Sequence, residues 1–276
     1  MIGIYIDIDN LIKDALSGQD ERAKRIIRGR YALDSSDRKT LAELGDEYSL
    51  TRERVRQIQA SALMAIRDEI KDHKESVKLL ETLEKYLKDV GHIRRGDLIA
   101  KDFSAVLKNA GNAEALYNKL HFLAEALKWP QIAGENEDWH AVWYSKKEAY
   151  ETARRLIEDL LKTKEHDFDK FLSKATDKFR MPEMQVINHL LVSKRFSVGP
   201  YGHMGADHWI HVNPKTVRDK IYVVLDKHGE PLHFSEIANH VNKLSGKTRA
   251  SATVHNELIK DPRFVLVGRG TYAIDV

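Results

Sequence analysis

The stretch Thr40–Arg67, TLAELGDEYSLTRERVRQIQASALMAIR, leaves this chain few ways to fold. It divides into a short helical segment, a tight turn and a longer helical segment. Leu41 and Leu44 give the first an apolar side, and Val55, Ile58, Ala62 and Ile66 recur on the second at the helical period. The two stripes can pack on each other as a helix-turn-helix. Thr51 suits the N-cap of the second helix, and Glu53 follows in its first turn. At roughly 100° per residue, Arg52, Glu53, Arg56 and Gln57 project away from the apolar stripe. That face carries what a helix in a major groove needs. Arg forks onto guanine, Gln onto adenine, Glu accepts from cytosine, and spare Arg holds phosphates.

A solvated, salt-bridged exterior is the competing account of the same face, because Glu53 can pair with its Arg neighbours. Thr51–Arg67 holds four Arg against one Glu inside a helix-turn-helix frame, and that imbalance favours DNA.

Three runs carry a family resemblance: Arg25–Tyr31 (RIIRGRY), Thr40–Gly45 (TLAELG) and Thr51–Ile58 (TRERVRQI). Together they closely resemble region four of bacterial housekeeping sigma factors, over about Asp20–Arg67. The resemblance implies that the second helix reads a promoter −35 element and that the module grips the flap tip of the RNA polymerase β subunit. Carried over by position, Arg52, Glu53 and Gln57 are expected to read bases, beside Thr51 at the helix start. Arg54 and Arg56 are expected to contact phosphate or partner. The chain departs from the family at Gln59, where Glu is usual, and at Ser49, where Gly is common in the turn. Region two of that family, which opens the −10 element, has no room before Asp20. An ordinary initiating sigma factor is therefore not expected.

Beyond Arg67 the chain reads as one unit repeated three times. Each copy opens with a helix: Val77–Asp89, Lys146–Lys162, Lys215–His228. A short helix follows in each: Arg94–Lys101, Asp167–Phe179, His233–Leu244. The third helices are Glu114–Lys128, Pro182–Lys194 and Ala250–Lys260. Each copy ends in two strand-like runs: Trp129–Ile132 with Trp139–Tyr144, Arg195–Val198 with His208–Val212, and Phe264–Val267 with Thr271–Ile274. Three helices and a β-hairpin make a winged helix. The expected fold class is mainly α: a sigma region four helix-turn-helix followed by three tandem winged-helix domains with small β-wings. The expected divisions are residues 1–73, 76–145, 146–213 and 214–276.

The last copy has its own resemblance. Gly229–Ala238 (GEPLHFSEIA), Thr253–Phe264 (TVHNELIKDPRF) and Val267–Ile274 (VGRGTYAI) look like a HARE-HTH domain over Lys215–Val276. That winged-helix family includes the δ subunit of bacterial RNA polymerase. Phe234, Ile237, Val254, Leu258 and Phe264 are core positions by spacing, and Gly268 and Gly270 suit the hairpin turn. The polar remainder is Lys247, Thr248, Arg249, Ser251, His255, Asn256 and Arg269. These lie where winged helices meet phosphates and bases, around the third helix and the wing tip, and DNA contact, protein contact and plain solvation are the three readings of the set.

The opening residues Met1–Asn10 alternate apolar and acidic positions as a strand does, and Asp9 or Asn10 then suits the cap of a helix Leu11–Leu16. A metal-dependent nuclease strand starts in the same way, but the further strands and carboxylates it needs do not follow. His203, His208 and His211 are close in sequence, yet a β-hairpin does not obviously bring them together for zinc, and imidazoles packed on Trp209 or exposed are the expectation. With no cysteine, a disulfide framework and a thiolate zinc site are excluded. The net charge is only +3, so DNA binding has to come from local patches. No metal, cofactor or enzyme motif is expected. No apolar run reaches the roughly 18–20 residues of a membrane span and no signal peptide is visible, so a cytoplasmic, nucleoid-associated protein is expected. The expected function is a bacterial transcription regulator that binds double-stranded promoter DNA and RNA polymerase. The alternative is a polymerase-associated interaction protein with little specific DNA affinity.

Overall fold

Several helix starts among the described residues are set by a side-chain oxygen that takes an orphan backbone N–H. Asp7, Asp20, Thr40, Thr51, Asn112 and Thr216 all do this. The computed structural model describes residues 6–34, 37–107, 112–164 and 166–275. In chain order, the first elements are α1 (Ile8–Ser17), α2 (Glu21–Tyr31), α3 (Leu41–Tyr48), α4 (Arg52–Ile70) and α5 (Lys74–Asp89). Next come β1 (Ile93–Arg95), α6 (Gly96–Val106), α7 (Ala113–Leu127), β2 (Gln131–Ala133), β3 (Val142–Tyr144) and α8 (Lys147–Lys162). These lead to α9 (Phe168–Phe179), α10 (Glu183–Leu191), β4 (Phe196–Val198) and β5 (Met204–Ala206). The chain closes with α11 (Val217–His228), β6 (Leu232–His233), α12 (Phe234–Ser245), α13 (Ser251–Lys260), β7 (Phe264–Gly268) and β8 (Thr271–Ile274). The fold is thus mainly α with small antiparallel sheets. Among the described residues no helix is long and apolar enough to cross a membrane.

Two compact units result: residues 1–156 with 179–193, and residues 157–178 with 194–276. The stretch expected as the middle winged helix is apportioned between them, with α10 in the first unit and most of α9, with the β4–β5 pair, in the second.

In the first unit, Leu44 and Val55 are fully buried with Ile26 between α2, α3 and α4. Gly45 lets the turn close, since a Cβ there would stand 2.7 Å from the Leu50 carbonyl oxygen. Ser49 ends α3 in the left-handed region at φ 54°, a conformation glycine adopts more cheaply. The far half of α4 turns Ala62, Ile66 and Ile70 into a larger core shared with α1, α2, α5, α6 and α7. The sheet order is β1-β3-β2, with Ile93 and Gln131 both opposite Tyr144. Asn188 of α10 joins this unit through its amide, which donates to the Val90 and Ile93 carbonyls at 2.7 and 2.5 Å. It also accepts from Arg94 at 2.8 Å, while Arg94 donates to Asp102 at 2.8 Å and to Tyr86 at 3.0 Å.

In the second unit, β4 pairs with β5, and α11–α13 enclose Ile221, Val224, Ile237, Val241, Val254 and Leu258 beneath a sheet of order β6-β8-β7.

Several sequence expectations change. Helix α1 begins at Ile8 with Asp7, not Asp9 or Asn10, as its cap: Asp7 Oδ1 accepts from the Asn10 amide at 2.9 Å. The expected opening strand therefore fails over Ile8–Asn10, and its first five positions lie outside the described residues. Arg94 and Arg95 are strand, and the helix expected to start at Arg94 starts at Gly96. The second wing strand is Met204–Ala206 rather than His208–Val212. Trp209 turns back over Gly205 so closely that a Cβ there would lie 2.3 Å from its ring, and this folds residues 208–212 into turns.

Asn188 is only 3% exposed. Asn188→Ala takes a partner from two backbone carbonyls and from Nη1 of Arg94, and should destabilise the first unit by about 2–4 kcal/mol. Native-state hydrogen exchange of the α5–α7 amides measures this loss. A change below about 0.5 kcal/mol would mean that α10 is held by other contacts.

Candidate nucleic-acid interface

Burying Val55 decides which residues α4 shows to solvent. Arg52, Glu53, Arg54, Arg56 and Gln57 are all exposed, with Thr51 exposed at the cap. Thr51 Oγ1 accepts from the Arg54 amide at 3.1 Å, which fixes the first turn. The face is hydrogen-bonded within itself. Both Glu53 oxygens accept from Arg56 at 2.8 Å, Gln57 donates to Glu53 at 3.3 Å, and Arg54 donates to the Gln57 amide oxygen at 3.3 Å. These are the i,i+3 and i,i+4 neighbours of a helix surface. The Arg56 hydrogen bond holds the Glu53 carboxyl below its ordinary range, and Glu53 in turn raises the Arg56 guanidinium. Three cations and one carboxylate thus project within a turn and a half, and the amide of Gln57 is already oriented. On a surface open to water such pairs exchange at little cost for contacts with bases or phosphates.

Gln59 plays a different part. Its amide donates to the Tyr31 hydroxyl at 3.1 Å, and that hydroxyl donates to the Glu125 carboxylate on α7. Burial pushes the Tyr31 phenol well up, with Glu125 adding to the effect. His121, beside Glu125, is pushed down by burial and by the Arg38 charge. Arg38 donates to Asn118 at 2.8 Å and sits 5.0 Å from the centre of the Tyr117 ring. A hydroxyl with one proton, already given to Glu125, needs a donor on its other side. Gln supplies it and Glu cannot, which accounts physically for the departure at this position.

In the C-terminal domain, Lys247, Thr248, Ser251 and Asn256 are exposed around the start and outer side of α13. Arg249 is half-buried: Asn242 accepts from its amide at 2.9 Å and donates to its carbonyl at 3.0 Å, and Nη1 is enclosed without a partner. His255 is stacked on Phe234, ring centres 4.4 Å apart, and its Nε2 lies 2.9 Å from the Tyr272 hydroxyl. It ties α13 to the sheet. Arg269 is exposed at the β7–β8 turn.

The three wing histidines disperse. His211 faces His203 at 5.2 Å, His208 lies 5.8 Å from His166, and the ring stacked on Trp209, at 5.1 Å, is His166. Among the described residues no three His, Asp or Glu side chains are placed to hold a metal ion. Sequence reading did not find the Tyr31–Glu125 link, because its partners stand 94 positions apart.

A helix-turn-helix with an arginine-rich exposed face and a terminal winged helix define the two ends of this chain. Residues 15–68 match the model of sigma-70 region 4, and residues 215–275 match that of HARE-HTH, a helix-turn-helix domain described for ASXL and restriction endonuclease proteins. The N-terminal segment is 48% identical over 74 residues to the RNA polymerase sigma factor RpoD of Helicobacter pylori, covering 23% of this chain and 11% of the relative. It is 39% identical over 61 residues to the RNA polymerase principal sigma factor HrdD of Streptomyces viridifaciens, covering 22% of this chain and 18% of the relative. The chain therefore spans less than a fifth of the length of either relative.

Gln59→Glu tests the relay. Glu125 and the spent Tyr31 proton would raise the new carboxyl's folded pKa, so the penalty is complete above that raised value and fades as pH falls through it. Unfolding free energy should drop by about 1–3 kcal/mol at pH 8 and by clearly less near pH 4.5, relative to the parent at each pH. Equal losses at both would assign the effect to shape, not charge.

Proposed function

We propose that this protein is a DNA-binding transcription regulator that reads promoter DNA of the −35 type through α4. The observation that carries the proposal is the exposed Arg52, Glu53, Arg54, Arg56 and Gln57 face above a fully buried Val55. In a major groove, Arg52 and Gln57 fork onto purine edges, Glu53 accepts from a cytosine amine, and Arg54 and Arg56 take phosphates. The C-terminal domain adds sequence-independent grip through Lys247, Thr248, Ser251 and Asn256, with phosphate contacts that orient rather than specify. Both matched segments are helix-turn-helix types and neither is an enzyme family, which supports a non-catalytic role.

Contact with RNA polymerase, through its β flap, is the second part of the proposal and rests on the match to sigma region 4. The sides of α2 and α4 turned to α1, α5 and α7 are buried in the shared core, which leaves α3 and the outer side of α4 among the faces open to such contact. Met64, 63% exposed on that outer side, offers an apolar foothold.

Binding to duplexes with and without a −35-like hexamer, across a salt series, tests the reading. Arg52→Ala or Gln57→Ala should weaken the hexamer duplex by about 1–3 kcal/mol and relax its preference. Lys247→Ala should lower affinity evenly across sequences and reduce the salt slope by about 1. Equal binding to both duplexes, fading steeply with salt, would sink base readout and favour a polymerase-associated interaction protein.

A further inference from the structure

The eight large hydrophobic side chains exposed among the described residues are not spread evenly. Four of them fall in the nine residues 259–267: Ile259 at 65%, Val265 at 39%, Leu266 at 58% and Val267 at 53%. The last three form the body of β7, an outer strand of the β6-β8-β7 sheet. Edge strands of monomers are usually shielded by a charge, a proline or a covering element. From Phe264 to Gly268 the strand FVLVG has neither charge nor proline, although Pro262 and Arg263 precede it and its pairing with β8 shifts register between Leu266 and Gly268. The other edge, β6, is two residues long and follows Pro231.

We propose that β7 is a self-pairing edge, through which two copies of this chain join antiparallel about a two-fold axis. Unpaired main-chain donors and acceptors along an edge call for an extended segment, not a helix or a lipid surface. The segment must itself be uncharged and apolar on both faces, and β7 meets its own requirement. Antiparallel pairing about Leu266 sets Val265 of each copy against Val267 of the other and, further out, Arg269 against Arg263, whose charge is already matched by Asp261 and Asp219.

The two ends of the strand differ in charge in the sense this arrangement needs. At its start, Arg263 pairs with Asp261 at 2.7 Å and with Asp219 at 3.6 Å, and Arg218 pairs with Glu257 at 2.5 Å. Lys260 precedes this group in sequence, and the Asp275 amide donates to the Arg263 carbonyl. Three cations (Arg218, Lys260, Arg263) against four carboxylates (Asp219, Glu257, Asp261, Asp275) leave that end at −1. The far end carries the exposed cation Arg269. A two-fold antiparallel pair brings each Arg269 to the carboxylate-rich end of its partner, twice over. A parallel pair would set like ends together.

Five residues of strand make a small interface, so the dimer in solution is weak, with Kd on the order of 10–100 µM. Two chains on one DNA molecule raise each other's effective concentration and strengthen the pairing. The joint belongs to the C-terminal domain and stands or falls independently of base reading by α4.

Sedimentation velocity of the full chain from about 5 to 500 µM, with amide exchange of Val265–Val267 at both extremes, tests the pairing. We expect a reversible monomer–dimer equilibrium, with β7 amides slowing as the dimer fills. Leu266→Lys or Val267→Lys should keep the chain monomeric with unchanged circular dichroism, because both side chains already face solvent. Arg269→Glu should weaken the dimer several-fold at low salt. A chain that is monomeric throughout overturns the proposal, as does a dimer that survives both lysine variants. Protection of β7 only on adding DNA or RNA polymerase would overturn it too, by assigning the edge to that partner.

Discussion

Everything α4 offers to a partner depends on what its other side has given up to the core. Val55, Ala62, Ile66 and Ile70 are buried at helical spacing, first against α2 and α3 and then against the larger core. That continuous burial fixes the roll of a helix of 19 residues about its own axis. With the roll fixed, Arg52, Glu53, Arg56 and Gln57 have no choice but to face water. Burial of apolar area, worth about 25 cal/mol per Å², decides the geometry, and the polar face inherits it.

The polar face carries a second constraint of its own. A glutamate among arginines weakens attraction to phosphate in general, because it lowers the local positive potential. It holds Arg56 and orients Gln57 while no partner is present. A surface with its hydrogen bonds already internally satisfied gains from a partner only where that partner replaces each bond. Under the proposed base readout, cytosine and adenine edges in the right order would do so and a uniform phosphate track would not, so the same residues would blunt non-specific binding and sharpen specific binding.

The C-terminal domain distributes its residues differently. His255 and Arg249, both polar and near α13, are drawn into packing by Phe234, Tyr272 and Asn242, whereas Lys247, Thr248, Ser251 and Asn256 stay in water. Its apolar residues do the opposite on β7. Five helix and strand elements already cover Ile237, Val254 and Leu258, and the outer strand has more apolar surface than the small core can take. A sheet of three short strands has too little area to bury both faces of its edge.

Much of this was legible in the sequence, and for a definable reason. The period of Val55, Ile58, Ala62 and Ile66, the cap at Thr51 and the turn before it are local, so residues within one turn of one another determine them. Helix α2 and most helices of the winged copies follow from the same short-range rules. The core positions Phe234, Ile237, Val254 and Leu258 follow from spacing alone. Side-chain meetings across long separations were left to tertiary structure, Tyr31 with Glu125 and Asn188 with Val90 and Ile93, as was the close turn of Trp209 over Gly205 four residues before it. Those contacts decided that Gln59 serves the fold, that α10 belongs with α5–α7, and that the second wing strand lies at Met204–Ala206. Period and propensity act over a few residues and are written in one dimension. Satisfaction of a buried hydroxyl, amide or ring depends on which distant atoms arrive beside it, and only the folded chain supplies them.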